Sequence, residues 1–168
     1  MTDCSVTLNN MAAAASLAAG VHAQPESGHL NGGTFYDYHQ TQDGRYLSIG
    51  SLEPQFMQGL AQALQLPVLL EKGSSLDAQD QKEVKAAIQE KIRSKTLNEW
   101  QTIFDALDVC VEPVLHLDEA LTSQLAQERG WVVHVPVKAG EQETEPQLAC
   151  PIKFSRSSSR YDFMGQAL

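Results

Sequence analysis

The sequence predicts a mixed α/β fold: a small domain with a short β-sheet flanked by helices, plus an N-terminal linker helix and an extended C-terminal tail. Three observations carry that expectation. Two strand-like runs, Thr34 to His39 and Arg45 to Gly50, flank Asp43-Gly44, a favoured tight-hairpin pair. Helical periodicity dominates the residues that follow, and it dissolves after Lys138. The implied organisation is 1–29 for the linker helix and its loop, 30–137 for the small α/β domain and 138–168 for the tail.

Residues 2 to about 20 read as one helix with a loose apolar face of Val6, Leu8, Met11, Ala15 and Leu17 and alanines around most of the rest. A helix so poor in charge is expected to pack against more protein than this chain supplies. Its Ala-rich stretch is too short and too weakly apolar to cross a bilayer, and no basic segment precedes it as in a signal peptide. Residues 21 to 33 read as loop, rich in Pro, Ser, Asn and Gly. In the second strand Tyr46, Ser48 and Gly50 alternate with Leu47 and Ile49, the pattern of a half-buried strand.

Pro54 opens the next helix, since proline suits a first helical turn, and Phe56, Leu60, Ala63 and Leu64 form its stripe. A second runs from Ala78 to Arg93 with Val84, Ala87, Ile88 and Ile92 on one face. Thr96-Leu97-Asn98-Glu99 has the form of a capping box and starts a third, with Leu97, Trp100, Phe104 and Leu107 as its stripe. Val109 to Leu115 is a short strand limited by Pro113. Asp118 to Arg129 is a fourth helix stopped by Gly130, and Trp131 to Val137 a last strand. Glu141, Glu143, Glu145 and Pro146 form an acidic loop, and residues 155–160 (Ser-Arg-Ser-Ser-Ser-Arg) an extended stretch.

The composition is that of a globular domain, with 42% apolar and 20% charged residues. A net charge of −9 opposes general binding to nucleic acid or anionic membranes. It also offers no bulk attraction to an anionic ligand, which would need local basic groups. Cys4, Cys110 and Cys150 are odd in number and far apart, with no CxxC and no Cys/His cluster. That argues against a zinc site or a disulfide framework and suits a reducing cytoplasm.

Four blocks then occur in order. They are Leu30-Asn31-Gly32-Gly33 with Phe35-Tyr36-Asp37-Tyr38; Asp43 to Gly50 with Leu52-Glu53-Pro54-Gln55-Phe56; Trp100 to Phe104 with Asp108 to Leu115; and Pro151 to Arg156. This set resembles the CaiB/BaiF (family III) CoA-transferase family, closest to its 2-methylacyl-CoA racemases, over nearly all of the chain. The resemblance implies a C-terminal fragment of an enzyme about twice as long, whose large domain brings the catalytic histidine and aspartate, or the nucleophilic aspartate of the transferases. None of those motifs occurs here, and His22, His29, His39, His116 and His134 lie outside any matching context. The fragment alone is expected to be inactive. The resemblance further implies a coenzyme A thioester as substrate, no tightly bound cofactor, no metal, a cytoplasmic location and an interlinked homodimer. A racemase, a CoA transferase and a non-catalytic dimerisation or binding module are the three functions carried forward.

Racemisation removes the proton beside a thioester carbonyl and returns it on the other face, which needs a base on each side and a stabilised enolate oxygen. Transfer needs a carboxylate nucleophile that forms an acyl anhydride and then its own CoA thioester. Glu53 is the candidate catalytic residue: the resemblance places it in the racemase site, orienting or charging a base on the large domain. Its position just before Pro54 has an alternative meaning, a carboxylate at the positive end of a helix. The resemblance also marks Gly32, Gly33 and Tyr36 as substrate-binding. Their alternatives are a plain turn before a strand and a half-buried strand aromatic. Arg156 and Arg160 are either CoA phosphate ligands or solvated arginines.

Overall fold

The structure, a computed structural model, describes residues 2–22, 24–26, 28–30, 32–140 and 142–165. Ser27, Asn31 and Glu141 of the stretches named above lie outside the described residues. The chain divides into two compact units, one up to Val114 and one from Leu115 onward.

The first unit begins with two helices, α1 (Thr2–Leu8) and α2 (Asn10–Ala19), where the sequence suggested one. Side chains at the break turn back on the main chain: Asn9 Nδ2 donates to the Ser5 carbonyl (3.0 Å) and Thr7 Oγ1 to that of Asp3 (2.8 Å). Such local bonds compete with helical ones, and Asn9 leaves the helical region. Val6, Leu8, Met11 and Leu17 are all largely exposed, and α2 buries none of its side chains.

Strand β1 (Asp37–Gln40) pairs antiparallel with β2 (Tyr46–Ile49), and β2 with β3 (Val111–Pro113), giving a sheet ordered β1-β2-β3. The hairpin closes around Asp43-Gly44, with Gly44 at φ +77°. Leu47 and Ile49 point into the core while Tyr46 is exposed, the alternation read from the sequence. Pro113 falls on an edge strand, where a missing N–H costs no ladder bond.

Four helices complete this unit: α3 (Pro54–Leu64), α4 (Val68–Lys72), α5 (Ala78–Ile92) and α6 (Leu97–Phe104). Pro54 does open α3, and the Thr96/Glu99 capping box closes as expected. The α3 stripe lies one step round from the expected one: Met57, Leu60, Ala61 and Leu64 are buried, and Phe56 and Ala63 half-buried. Helix α6 ends at Phe104, so Leu107 falls outside its stripe and is exposed. Helix α4 is too short for a periodic signal. The core joins Phe35, Leu47 and Ile49 to Leu60, Leu64, Leu69, Ile88, Ile92 and Trp100. Trp100 Nε1 donates to the Ile92 carbonyl (2.8 Å), and its ring stacks on Phe104 with centroids 5.4 Å apart.

Edge strand β1 is held by one row of α5, at residues 81, 85 and 89. Gln89 accepts from the Gln40 N–H (3.0 Å) and donates to its carbonyl (2.8 Å), so its amide stands in for a neighbouring strand. Lys85 Nζ donates to the Gly32 carbonyl and pairs with Asp37, both at 2.7 Å. Partial burial raises the Asp37 carboxyl, but the Lys85 and Tyr38 N–H bonds outweigh it and leave the pKa below the ordinary range. Gln81, almost fully buried, accepts from the Phe35 N–H (3.1 Å) and donates to the Gly73 (3.0 Å) and Ser75 (2.8 Å) carbonyls. Because Phe35 spends its N–H on Gln81, regular pairing begins at Asp37 rather than Thr34.

The second unit holds α7 (Leu117–Thr122), α8 (Gln124–Arg129) and an antiparallel pair, β4 (Val132–Pro136) and β5 (Thr144–Leu148). The single helix expected over 118–129 is broken at Ser123. Its Oγ donates to the Ala120 carbonyl (2.7 Å) and accepts from the Ala126 N–H (3.2 Å), ending one helix and capping the next. Strand β5 lies within the stretch expected to be tail; all five of its residues are exposed, so no burial pattern marked it. From Ala149 to Gly165 the chain has no regular element.

Two outcomes test this packing. Gln81→Ala would leave a buried N–H and two carbonyls unpaired, and is expected to cost about 2–4 kcal/mol, lowering the urea midpoint by roughly 1–2 M; the exposed Gln79→Ala should leave the midpoint unchanged. His39 is 2% exposed and donates from Nε2 to the Phe35 carbonyl (3.2 Å). Burial pushes its pKa below the ordinary value of about 6.5. The fold therefore favours neutral imidazole, and the stability it contributes is complete above that value and lost as pH falls from it toward the folded-state pKa. Urea midpoints at pH 7.5 and 5.5 should drop more for this chain than for His39→Gln.

Candidate functional site

The link from β2 into α3 places Glu53. After Ile49 the backbone turns inward: the Gly50 N–H donates to the Cys110 carbonyl (2.7 Å) and the Leu52 N–H to the Gly50 carbonyl (2.9 Å). Glu53 follows as the N-cap of α3, extended at φ −67° and ψ 141°, and its exposed side chain makes no capping hydrogen bond. Proximity to the helix end is real, but the carboxylate is not used to satisfy that end.

Gly50 is the meeting point. A Cβ there would lie 3.2 Å from Tyr36 Cε2 and 3.6 Å from Cys110 Cβ, so the glycine admits both side chains. Tyr36 is half-buried, its N–H donating to Thr34 Oγ1 (3.2 Å), and the Thr34 hydroxyl donates to the His29 carbonyl (2.7 Å). Cys110 feels the Glu53 charge directly. Its thiol is pushed above the ordinary value first by desolvation, then by the carboxylates of Glu53, Asp108 and Glu112. Tyr36, Glu53 and Cys110 thus gather round one end of the three-stranded sheet. Cys110 was not among the expected site residues; its place inside an apolar-acidic strand, Asp108 to Glu112, masked it.

The two glycines sit apart from that end. Gly32 has φ +90° and a Cβ there would approach Asp37 Oδ2 to 3.3 Å, so the turn requires glycine on backbone grounds. Gly33 lines a cavity of about 200 Å³ with His29, Thr34 and Gln81. A neighbouring cavity of about 190 Å³ shares His29, Thr34 and Ser75 with it and reaches Leu52 and Met57, beside Glu53. The two cavities share a wall, and Glu53 lines neither of them. Arg160 pairs with Asp162 (3.2 Å) and Arg156 is exposed. Among the described residues no three His, Cys, Asp or Glu side chains form a metal-binding group, and no helix is long and apolar enough to cross a membrane.

The family model described as CoA-transferase family III matches residues 1–164. The chain belongs to CoA-transferase family III. Within that family it is 35% identical over 132 residues to the alpha-methylacyl-CoA racemase of Mus musculus, covering 77% of this chain and 33% of that protein. The corresponding figures for the Homo sapiens racemase are 34% over 121 residues, 71% and 30%. The chain thus spans about a third of the length of the curated relatives it matches. In structure it is similar to a CaiB/BaiF family protein from Brucella suis, with a TM-score of 0.72 at 18% identity over 99% of this chain and 43% of that one. It is also similar to Rv3272 from M. tuberculosis, with a TM-score of 0.60 at 18% identity over 89% of this chain and 46% of that one. These likenesses fit the mixed α/β fold read from the sequence.

The electrostatic influence of Glu53 on Cys110 is measurable without any activity. In a Cys4→Ser/Cys150→Ser background, Glu53→Gln should lower the Cys110 pKa, and alkylation by iodoacetamide at pH 8 should accelerate by roughly twofold at low salt. An unchanged rate would place the carboxylate out of range of the thiol.

Proposed function

We propose that this chain is the small-domain portion of an acyl-CoA enzyme, most closely a 2-methylacyl-CoA racemase. The observation that carries the reading is Glu53: an exposed carboxylate at the head of α3, unbonded to its own helix and beside the Gly50 contact that holds Tyr36. The racemase relatives at 34–35% identity support it.

In this reading a base supplied by the remainder of a full-length enzyme takes the proton at C2, leaving an enolate and a protonated base. A second acid on the opposite face returns a proton to C2. Glu53 faces that chemistry as a positioning residue, orienting or charging the base, and Tyr36 lines the acyl subsite. Gly32 and Gly33 let the main chain turn close to the ligand. The substrate is a CoA thioester, and the protein needs no tightly bound cofactor. Helices α1 and α2 pack their exposed apolar residues on the larger domain, residues 138–168 return toward it, and the enzyme is a cytoplasmic homodimer.

Transfer of CoA between carboxylic acids is the second reading, and the description of the matching family favours it. There, a carboxylate displaces CoA thiolate to form an anhydride, and the thiolate then attacks the enzyme acyl carbonyl, releasing the free acid.

The test grafts this chain into the mouse racemase in place of the 132-residue segment it matches. In deuterated water with a chiral 2-methylacyl-CoA, the chimera should exchange the C2 proton, and the chain alone should not. Glu53→Gln in the chimera should lower kcat roughly tenfold or more with little change in KM. A folded chimera that exchanges equally well with either residue removes the role of Glu53, and thioester exchange with a free acid in place of C2 exchange selects the transferase.

A further inference from the structure

The second unit contains a cavity of about 350 Å³ between the end of α8 and the irregular segment that follows β5. Arg129 and Lys153 line it together with the hydroxyls of Ser157, Ser158 and Ser159, and with Tyr161. Among the described residues no carboxylate lines it. In a chain of net charge −9, two cations and three hydroxyls around one cavity without an acid is a local reversal of sign.

Asp162 is paired with Arg160 (3.2 Å), and Glu128, which accepts from Gln124 Nε2 (2.7 Å), is not among the lining residues. Lys153 Nζ donates one hydrogen to the Arg129 carbonyl (2.5 Å). That bond caps the negative end of α8, and an ammonium has two more hydrogens to give. The Tyr161 hydroxyl accepts from the Cys150 N–H (2.8 Å), which folds residues 150–161 into the cavity wall. Val133, Ala149, Ile152 and Phe154 give the wall an apolar part, beside Gly130 and Cys150.

We propose that this cavity binds a phosphate monoester. A guanidinium offers a planar pair of donors to two phosphate oxygens, an ammonium adds a point charge, and serine hydroxyls donate to the remaining oxygen. The apolar wall suits the organic part of the ester. This goes beyond the racemase reading and does not rest on it. The monoester could be the 3′-phosphate of coenzyme A or the phosphate of another metabolite; the chemistry is the same and the ligands separate them.

The test records amide shifts of the isotopically labelled 168-residue chain during titration with inorganic phosphate, coenzyme A and 3′-dephospho-coenzyme A, with acetate at matched ionic strength as the control. Phosphate should move the amides of Gly130, Lys153 and Ser157 to Ser159, and acetate should not. Arg129→Gln, whose side chain makes no internal bond that holds the fold, should weaken phosphate binding at least threefold with an unchanged melting temperature. Ser158→Glu should abolish it by placing a carboxylate among the hydroxyls. Coenzyme A binding at least fivefold tighter than its dephospho form identifies its 3′-phosphate as the monoester. Equal binding of the two, with phosphate still bound, assigns the cavity to another phosphate ester. No shift with phosphate, or equal shifts with acetate, or indifference to Arg129→Gln overturns the proposal. A positive titration beside a chimera that fails to exchange the C2 proton would leave this site standing and remove the racemase reading.

Discussion

The grip of α5 on residues 32–40 is the constraint on which the first unit depends. An edge strand presents unpaired N–H and C=O groups, and leaving them buried without partners costs more than any single apolar contact returns. Here the remedy comes from side chains one helical turn apart. Gln89 completes both hydrogen bonds of Gln40, Lys85 takes the Gly32 carbonyl and Asp37, and Gln81 takes the Phe35 N–H. Because a strand has period two, fixing Phe35 and Gln40 fixes which face every residue between them presents. Phe35 and His39 go inward, and Tyr38 goes out.

That register reaches the candidate site through β2. Asp37 lies opposite Ile49, so Tyr36 falls beside Gly50, the one residue small enough to admit its ring. Gly50 in turn bonds to Cys110, which sets the end of β3 and the point where the chain leaves for α3. Glu53 owes its position to this sequence of contacts rather than to its own helix. A slip of one residue in β1 would carry Tyr36 to the other face and part it from the carboxylate.

Much of this was legible in the sequence because it is locally encoded. Asp43-Gly44, Pro54 and the Thr96 capping box each act within four residues and each formed as expected. Side-chain competition with the main chain was the harder signal. Asn9 and Ser123 each break a helix whose apolar period runs straight through them, and hydrophobic pattern does not register hydroxyls or amides. Strand β5 carries no burial alternation, since neither of its faces meets a core. For the candidate site, an ordered set of motifs pointed to Glu53 and Tyr36, whose roles belong to the proposed function. The Gln81, Lys85 and Gln89 row was not legible, because an exposed-looking polar stripe on a helix reads as solvated until the strand beside it is known. Cys110 was hidden for a related reason: its neighbours in sequence describe a strand, and only the fold brings it to Glu53.

Charge is unevenly distributed along the chain. A net −9 chain offers no long-range attraction to an anionic ligand, so any such ligand must be held by short-range donors where the acidic surface is interrupted. The Glu53 end of the sheet is no such place: Asp108 and Glu112 add to its charge, and after desolvation these carboxylates raise the Cys110 thiol pKa. An acidic setting of that kind disfavours holding a phosphate. The cavity at Arg129 and Lys153 has the opposite character. The proposed function and the proposed anion site therefore call on different groups, since a phosphate brought to Glu53 would meet like charge from Asp108 and Glu112 as well.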